Sequence, residues 1–175
     1  MKAIVIYKSK TGFTKKYAEW ICEELKCDIG SYDKLSSNSI ADYDFIIYGG
    51  GIYAGKVGGL KKIKSLLRDN SRIRLVVFAT GATPAAVGDS IDTIWKSNFS
   101  EDELNRIPHF YMQSGISYEK MGFLDRLLMK VFTKMLSKKE DKSPEEVGCE
   151  QSIAKSHDIS SKEYIKPLIQ FIKEQ

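Results

Sequence analysis

Three short apolar runs, each closing on a glycine-bearing turn, restrict the folds open to this chain. They are Ala3-Ile4-Val5-Ile6-Tyr7, Phe45-Ile46-Ile47-Tyr48 and Leu75-Val76-Val77-Phe78-Ala79. Runs of four or five apolar residues, rich in β-branched types and without polar alternation, mark strands buried on both faces. Between them the period changes to that of a helix. Thr14, Ala18, Ile21, Cys22 and Leu25 share one face, as do Leu60, Ile63, Leu66 and Leu67, and then Val87, Ile91, Ile94 and Trp95. Strands alternating with helices imply right-handed crossovers and a parallel sheet covered on both sides. Cys27–Tyr32 supplies a weaker second strand and Ile107–Met112 a last one, with Pro108 suited to an edge. Five strands fit an α/β three-layer sandwich of order 2-1-3-4-5, with ligands beyond the carboxyl ends of strands 1 and 3.

The turns at those ends carry the chemistry. Ser9-Lys10-Thr11-Gly12-Phe13-Thr14 joins the first strand to the first helix with three hydroxyls and a glycine. Such a turn aims backbone N–H groups and the positive end of a helix dipole at one point, the usual place for a phosphate. Gly12 allows close approach or positive φ. Ser9, Thr11 and Thr14 can each donate to a phosphate oxygen, a bond worth about 1.5–3 kcal/mol when the acceptor is charged. Without a ligand, Thr11 or Thr14 would serve as an N-cap.

Residues 49–58 and Thr80-Gly81-Ala82-Thr83-Pro84 are expected to converge on the same edge. Gly50–Lys56 matches G-x-x-x-x-G-K, but Val57 stands where a P-loop needs Ser or Thr for magnesium. The segment is instead expected to be a flexible glycine loop presenting Tyr53 to a flat ligand. No G-x-G-x-x-G follows the first strand. A phosphorylation receiver fails too, because the strand ends lack its acidic residues and lysine. His109 and His157 have no recognisable catalytic partner, so no catalytic dyad and no metal site are expected.

These features bound the rest. The 175 residues, 42% apolar and 29% charged, suit one domain burying about 70% of its unfolded surface. No apolar stretch is long enough to span a bilayer. With the first strand starting near residue 2 there is no signal-peptide pattern, so the expected compartment is the cytoplasm. Cys22, Cys27 and Cys149 form neither a disulfide framework nor a zinc pattern. A net charge of +4 is too mild to argue for nucleic acid. Ser160 and Glu163 match a capping box for a last helix with the stripe Ile165, Leu168, Ile169 and Ile172, and Pro167 predicts a kink or restart there.

Ser9–Thr14 resembles the T-x-T-G-x-T phosphate loop of flavodoxins, with serine for the first threonine. The likeness covers about residues 1–115 and 160–175, leaving a helical insertion at about 115–158 within a single domain, 1–175. Gly49–Gly55 and Met121-Gly122-Phe123-Leu124-Asp125-Arg126 resemble the flavodoxin-domain proteins that include menaquinone-dependent protoporphyrinogen oxidase. The resemblance implies FMN, held by Ser9, Lys10, Thr11, Gly12, Phe13 and Thr14. It implies flanking contacts to the flavin ring from Gly51, Ile52, Tyr53, Ala54 and Gly55 and from Thr80, Gly81, Ala82 and Thr83. It further implies an oxidoreductase or electron-transfer flavoprotein with a redox partner or a small apolar substrate, a quinone or a porphyrin. The basic charge and the lack of an aromatic in 80–84 depart from acidic electron-shuttle flavodoxins. The alternative is a flavodoxin-fold binding module that has lost FMN.

Within the insertion, Lys120–Lys139 holds six basic residues against one acid, beside apolar residues at helical spacing from Phe123 to Leu136. Two readings stand. Either the segment packs on the domain edge with its lysines solvated, or residues 119–139 form an interfacial element against anionic lipid or over an apolar substrate.

Overall fold

The computed structural model describes residues 2–36, 40–68, 70, 72–85 and 88–175. Its central sheet is parallel and runs in the order β2 (Asp28–Ser31), β1 (Ala3–Lys8), β3 (Phe45–Tyr53), β5 (Arg74–Gly81), β6 (His109–Gln113). β4 (Lys56–Val57) folds back on β3 as a short antiparallel appendage. Setting it aside leaves the expected order, with the reversal between β1 and β3. β2 and β6 lie at the sheet's edges, and Pro108 just precedes β6.

Alternation along the buried strands divides the core in two. On one face Val5, Ile47, Val76, Phe78 and Met112 pack under α1 (Phe13–Leu25) and α7 (Lys166–Lys173). On the other, Ile6, Ile46, Tyr48, Val77 and Ala79 pack under α2 (Leu60–Leu67) and α3 (Gly88–Asn98). This is a three-layer sandwich. Val87, expected to open the stripe of α3, lies outside the described residues, as do residues 37–39.

Several details differ from expectation. Gly49–Gly51 does not leave the sheet. β3 continues to Tyr53 and reverses through Ala54 (φ 46°) and Gly55 (φ 74°) into β4. Two successive positive φ values are the mark of a tight type I′ hairpin, whose twist matches that of the strands. The segment is therefore a clamped hairpin and not a flexible loop. Asn98 donates through Nδ2 to the Gly55 carbonyl (2.8 Å), and its Oδ1 accepts from the Val57 N–H (2.9 Å).

The predicted capping box at Ser160 is displaced. Ser161 is the cap, accepting from the Glu163 N–H at 3.2 Å, and opens a 3-10 turn over Lys162–Ile165. α7 then restarts with Pro167 in its first turn, where a missing N–H costs nothing. Two helices without a strong apolar stripe escaped the periodicity reading. They are α4 (Glu101–Arg106) and α6 (Pro144–Ile153), started by the capping boxes Ser100/Glu103 and Ser143/Glu146.

The inserted segment is tied at its base by a two-stranded ribbon, β7 (Gly115–Ile116) against β8 (His157–Asp158). Between these strands lie a 3-10 turn over Tyr118–Lys120, α5 (Phe123–Ser137) and α6. They enclose a small third core of Ile116, Leu136 and Ile153, with Tyr118, Met121, Met129 and Cys149 packed against it. Ala82, from the end of β5, joins this cluster, so the insertion rests on the sheet's carboxyl edge.

Candidate functional site

The carboxyl ends of β1, β3 and β5 bring together all three segments singled out in the sequence. At the first, Gly12 takes φ 98° as the N-cap of α1, a conformation that favours glycine. Its N–H is satisfied by Ser9 Oγ at 3.1 Å, which closes the turn and leaves the Ser9 proton to donate elsewhere. Thr11, Gly12 and Phe13 line a cleft of about 400 Å³, and Lys16 and Lys120 line it with them. The Lys120 ammonium lies 3.5 Å from where a Cβ on Gly12 would sit.

Thr14 is placed differently from Thr11. It is buried, and its hydroxyl is hydrogen-bonded to that of Thr80 at 2.8 Å. This pair pins the start of α1 to the end of β5, and one of its two protons remains unspent. Gly51 lies beside the pair, a Cβ there falling 3.4 Å from Thr14 Oγ1. Gly81 is more confined. A Cβ on it would sit 3.0 Å from Tyr111 Oη and 3.2 Å from Ile52 Cδ1. The Tyr111 hydroxyl donates to the Thr83 carbonyl at 2.6 Å, and burial pushes its pKa above the ordinary phenol range, keeping it a donor.

Lys10 points away from the turn toward two other elements. Its ammonium pairs with Asp125 in the first turn of α5 at 3.0 Å and lies 4.6 Å from the centre of the Tyr53 ring. Tyr53 itself is 46% exposed at the hairpin tip, next to Ala54 and Gly55. One cation thus joins the phosphate-type turn, the aromatic hairpin and the insertion. Ile52 and Ala82 face inward, the first toward the core on the α2/α3 side and the second toward the insertion's core.

Three contributors escaped the sequence reading. Tyr17 is fully buried; its hydroxyl donates to the Gln113 carbonyl and accepts from the Ser161 N–H at 3.1 Å. Lys16 pairs with Asp158 of the ribbon at 2.8 Å. Burial opposes ionisation of Asp158, but the Lys16 bond and the Ser160 N–H outweigh it and hold the carboxyl below its usual range. Lys120 enters from the insertion, more than a hundred residues along the chain. The helical spacing from Phe13 could have placed Lys16 near the helix start. Lys120 was read only as the start of the insertion's basic run, and nothing local tied it to the phosphate-type turn.

The geometry amounts to a cleft at a helix N-terminus lined by Lys16, Lys120 and Asp158, an exposed aromatic held by a clamped hairpin, and a glycine-lined strand end, all on one sheet edge. Among the described residues no group of three or more His, Cys, Asp or Glu is placed to hold a metal ion.

The flavodoxin domain matches residues 4–143, the greater part of the chain. A curated relative, an uncharacterised protein of Methanocaldococcus jannaschii, is 47% identical over 57 residues, a match covering 32% of this chain and 38% of that protein. The chain therefore spans well under two thirds of that relative. Among solved structures, an oxidised flavodoxin 2 from Bacillus cereus aligns over 65% of this chain and 84% of its own, at 18% identity and a TM-score of 0.47. A flavodoxin from the domain Archaea aligns over 54% of this chain and 75% of its own, at 22% identity and a TM-score of 0.41. A flavoprotein in complex with FMN from Lactobacillus acidophilus covers 64% and 91%, at 20% identity and a TM-score of 0.39. On the domain match, this chain belongs to the flavodoxin-domain family.

Proposed function

We propose that this chain is an FMN-binding oxidoreductase that passes electrons between a donor and an apolar partner. Protoporphyrinogen as reductant, with a quinone as acceptor, is the concrete case. The observation that carries the reading is the meeting of Ser9–Thr14, Gly51–Gly55 and Thr80–Thr83 at the point where the strand order reverses.

The residues present fit FMN, the cofactor of the flavodoxin domain. Its phosphate is a dianion, and the turn before α1 offers the free proton of Ser9. Thr11, Lys16 and Lys120 line one cleft together with Asp158, which pairs with Lys16 and, among the described residues, leaves Lys120 as the unpaired cation there. The ring end has Tyr53 as an aromatic wall and Gly81 in a cradle that a Cβ would fill. Bound FMN supplies the redox chemistry, while the chain positions it and excludes water. Tyr53 is held for this by the hairpin and by Lys10. The Thr14–Thr80 pair fixes the floor between phosphate and ring ends. The apolar-partner part of the reading is supported by the basic charge and by α5, which starts beside Lys10 and Tyr53.

Purified protein is expected to be yellow, to release FMN identified by mass, and to bind FMN more tightly than riboflavin because the cleft recognises phosphate. Colourless protein that fails to take up FMN after titration would make it a binding module. Turnover of protoporphyrinogen with a menaquinone analogue tests the finer assignment, and a flavin that is reduced chemically but never by porphyrinogen rejects it.

Replacing Tyr53 with alanine removes the aromatic wall and one of the two partners of Lys10. FMN affinity is expected to fall between about twofold and tenfold, and the bound flavin to become more fluorescent and more accessible to iodide quenching. Unchanged fluorescence and affinity would leave Tyr53 a surface aromatic.

A further inference from the structure

Helix α5 turns most of its apolar surface outward. Leu124, Leu127, Leu128, Val131, Phe132 and Met135 are between 46% and 70% exposed, and Phe123 at the helix start is 81% exposed. The face toward the domain is narrow and mixed, since only Leu136 is buried and Asp125, Met129 and Thr133 are half-buried. The insertion's own core therefore uses little of the helix.

A basic strip runs beside this apolar arc. Arg126, Lys130, Lys134 and Lys138 follow one another at four-residue spacing. Among the described residues no ion pair reaches any of them. Asp125, the one acid of the helix, is taken by Lys10. A second copy docked face to face across a two-fold axis would bring two such strips together, with the one acid of each helix already paired to Lys10. The helix is also too short and too charged to cross a bilayer, and no described helix meets that requirement.

We infer that α5 lies on an anionic lipid surface, with its outer apolar arc in the headgroup boundary and its four cations against lipid phosphates. The first turn of α5 is joined through Lys10 to the Tyr53 hairpin. Docking there sets the proposed ring edge beside the membrane, where a lipid-soluble electron partner is met. This last point rests on the proposed function; the docking itself does not.

The test is co-sedimentation of the full chain with equimolar phosphatidylcholine–phosphatidylglycerol vesicles and with phosphatidylcholine alone. Binding is expected only to the anionic vesicles at low salt, and it should weaken as ionic strength rises. The Lys130→Gln/Lys134→Gln/Lys138→Gln variant should lose about a hundred-fold in partition coefficient. Leu124→Ser/Leu128→Ser/Val131→Ser should lose a comparable factor, and because these side chains are already exposed the fold should persist by circular dichroism. No binding at low salt, equal binding to neutral vesicles, or undiminished binding by either variant overturns the inference. So does a serine variant that converts a dimer to a monomer in sedimentation velocity, which would make a second copy the occupant. FMN content is measured separately on the same preparations, so loss of the flavin reading and loss of the lipid reading are distinguishable.

Discussion

Gly59→Ala is expected to destabilise the fold by about 2–5 kcal/mol, combining left-handed backbone strain with overpacking. Gly59 has φ 83° at the N-cap of α2, and an added Cβ would lie 2.2 Å from Tyr48 Oη and 2.7 Å from Tyr32 Cε2. Tyr48 cannot easily yield. It is fully buried, and its hydroxyl donates to the Gly58 carbonyl, so moving it breaks a bond where no water can replace it. Gly55→Ala is the control. Its φ of 74° imposes similar strain, but nothing lies within 4 Å of its Cβ position, so a loss of only about 1–2 kcal/mol is expected. Gly49→Ala isolates the other component, since its φ is ordinary and its Cβ would sit 2.1 Å from the Phe78 ring. Urea midpoints with a common slope give the three values. If Gly59→Ala matches Gly55→Ala within about 0.5 kcal/mol, the tyrosines make room and the packing account fails.

Those glycines also show where the sequence could and could not be read. The three apolar runs and the helical stripes between them depend on local periodicity, and they specified the layered parallel sheet. Gly49–Gly51 looked like the end of a strand because glycine usually weakens one. The reason for two of the three glycines is non-local: Phe78 packs over Gly49 from the neighbouring strand, and the hairpin returns over Gly50, where a Cβ would meet Val57 at 2.6 Å. The β7–β8 ribbon was illegible for a similar cause. Gly115 is needed because the His157 carbonyl would lie 2.1 Å from its Cβ, a contact across the whole insertion. By contrast, α4 and α6 carried readable Ser-x-x-Glu starts and were missed because their apolar spacing is weak. In α5 the amphipathic pattern was plain, but periodicity does not say which face meets the domain. The inward stripe of Asp125, Met129, Thr133 and Leu136 is not the most apolar one. At the site, the three converging segments followed from topology. The pairing of Thr14 with Thr80 and the approach of Lys120 to Gly12 required the folded chain.

Thr11 and Thr14, which sequence alone placed in the same role, are expected to separate in their effects. Thr11 faces the cleft shared by Lys16 and Lys120. Thr11→Ala should weaken FMN by about 1.5–3 kcal/mol, tenfold to a hundred-fold, through loss of a hydroxyl bond to a charged phosphate. Riboflavin affinity should stay the same, and the stability of the flavin-free protein should change by less than about 0.5 kcal/mol. Thr14→Val keeps the side-chain volume but leaves the buried Thr80 hydroxyl without its 2.8 Å partner. Its cost should appear as stability, about 1–3 kcal/mol in the flavin-free protein. Thr14→Val/Thr80→Val removes both hydroxyls together and should recover much of that loss, because no polar group is then left orphaned. Riboflavin and FMN affinities should fall by similar factors in Thr14→Val, since the pair supports the floor between the two ends of the site. If the double variant is as unstable as the sum of the singles, the two hydroxyls do not act as a pair. If Thr11→Ala reduces riboflavin and FMN binding equally, Thr11 shapes the turn and does not contact phosphate. An FMN-selective loss in Thr14→Val, with stability unchanged, would instead assign the unspent proton of the pair to the phosphate.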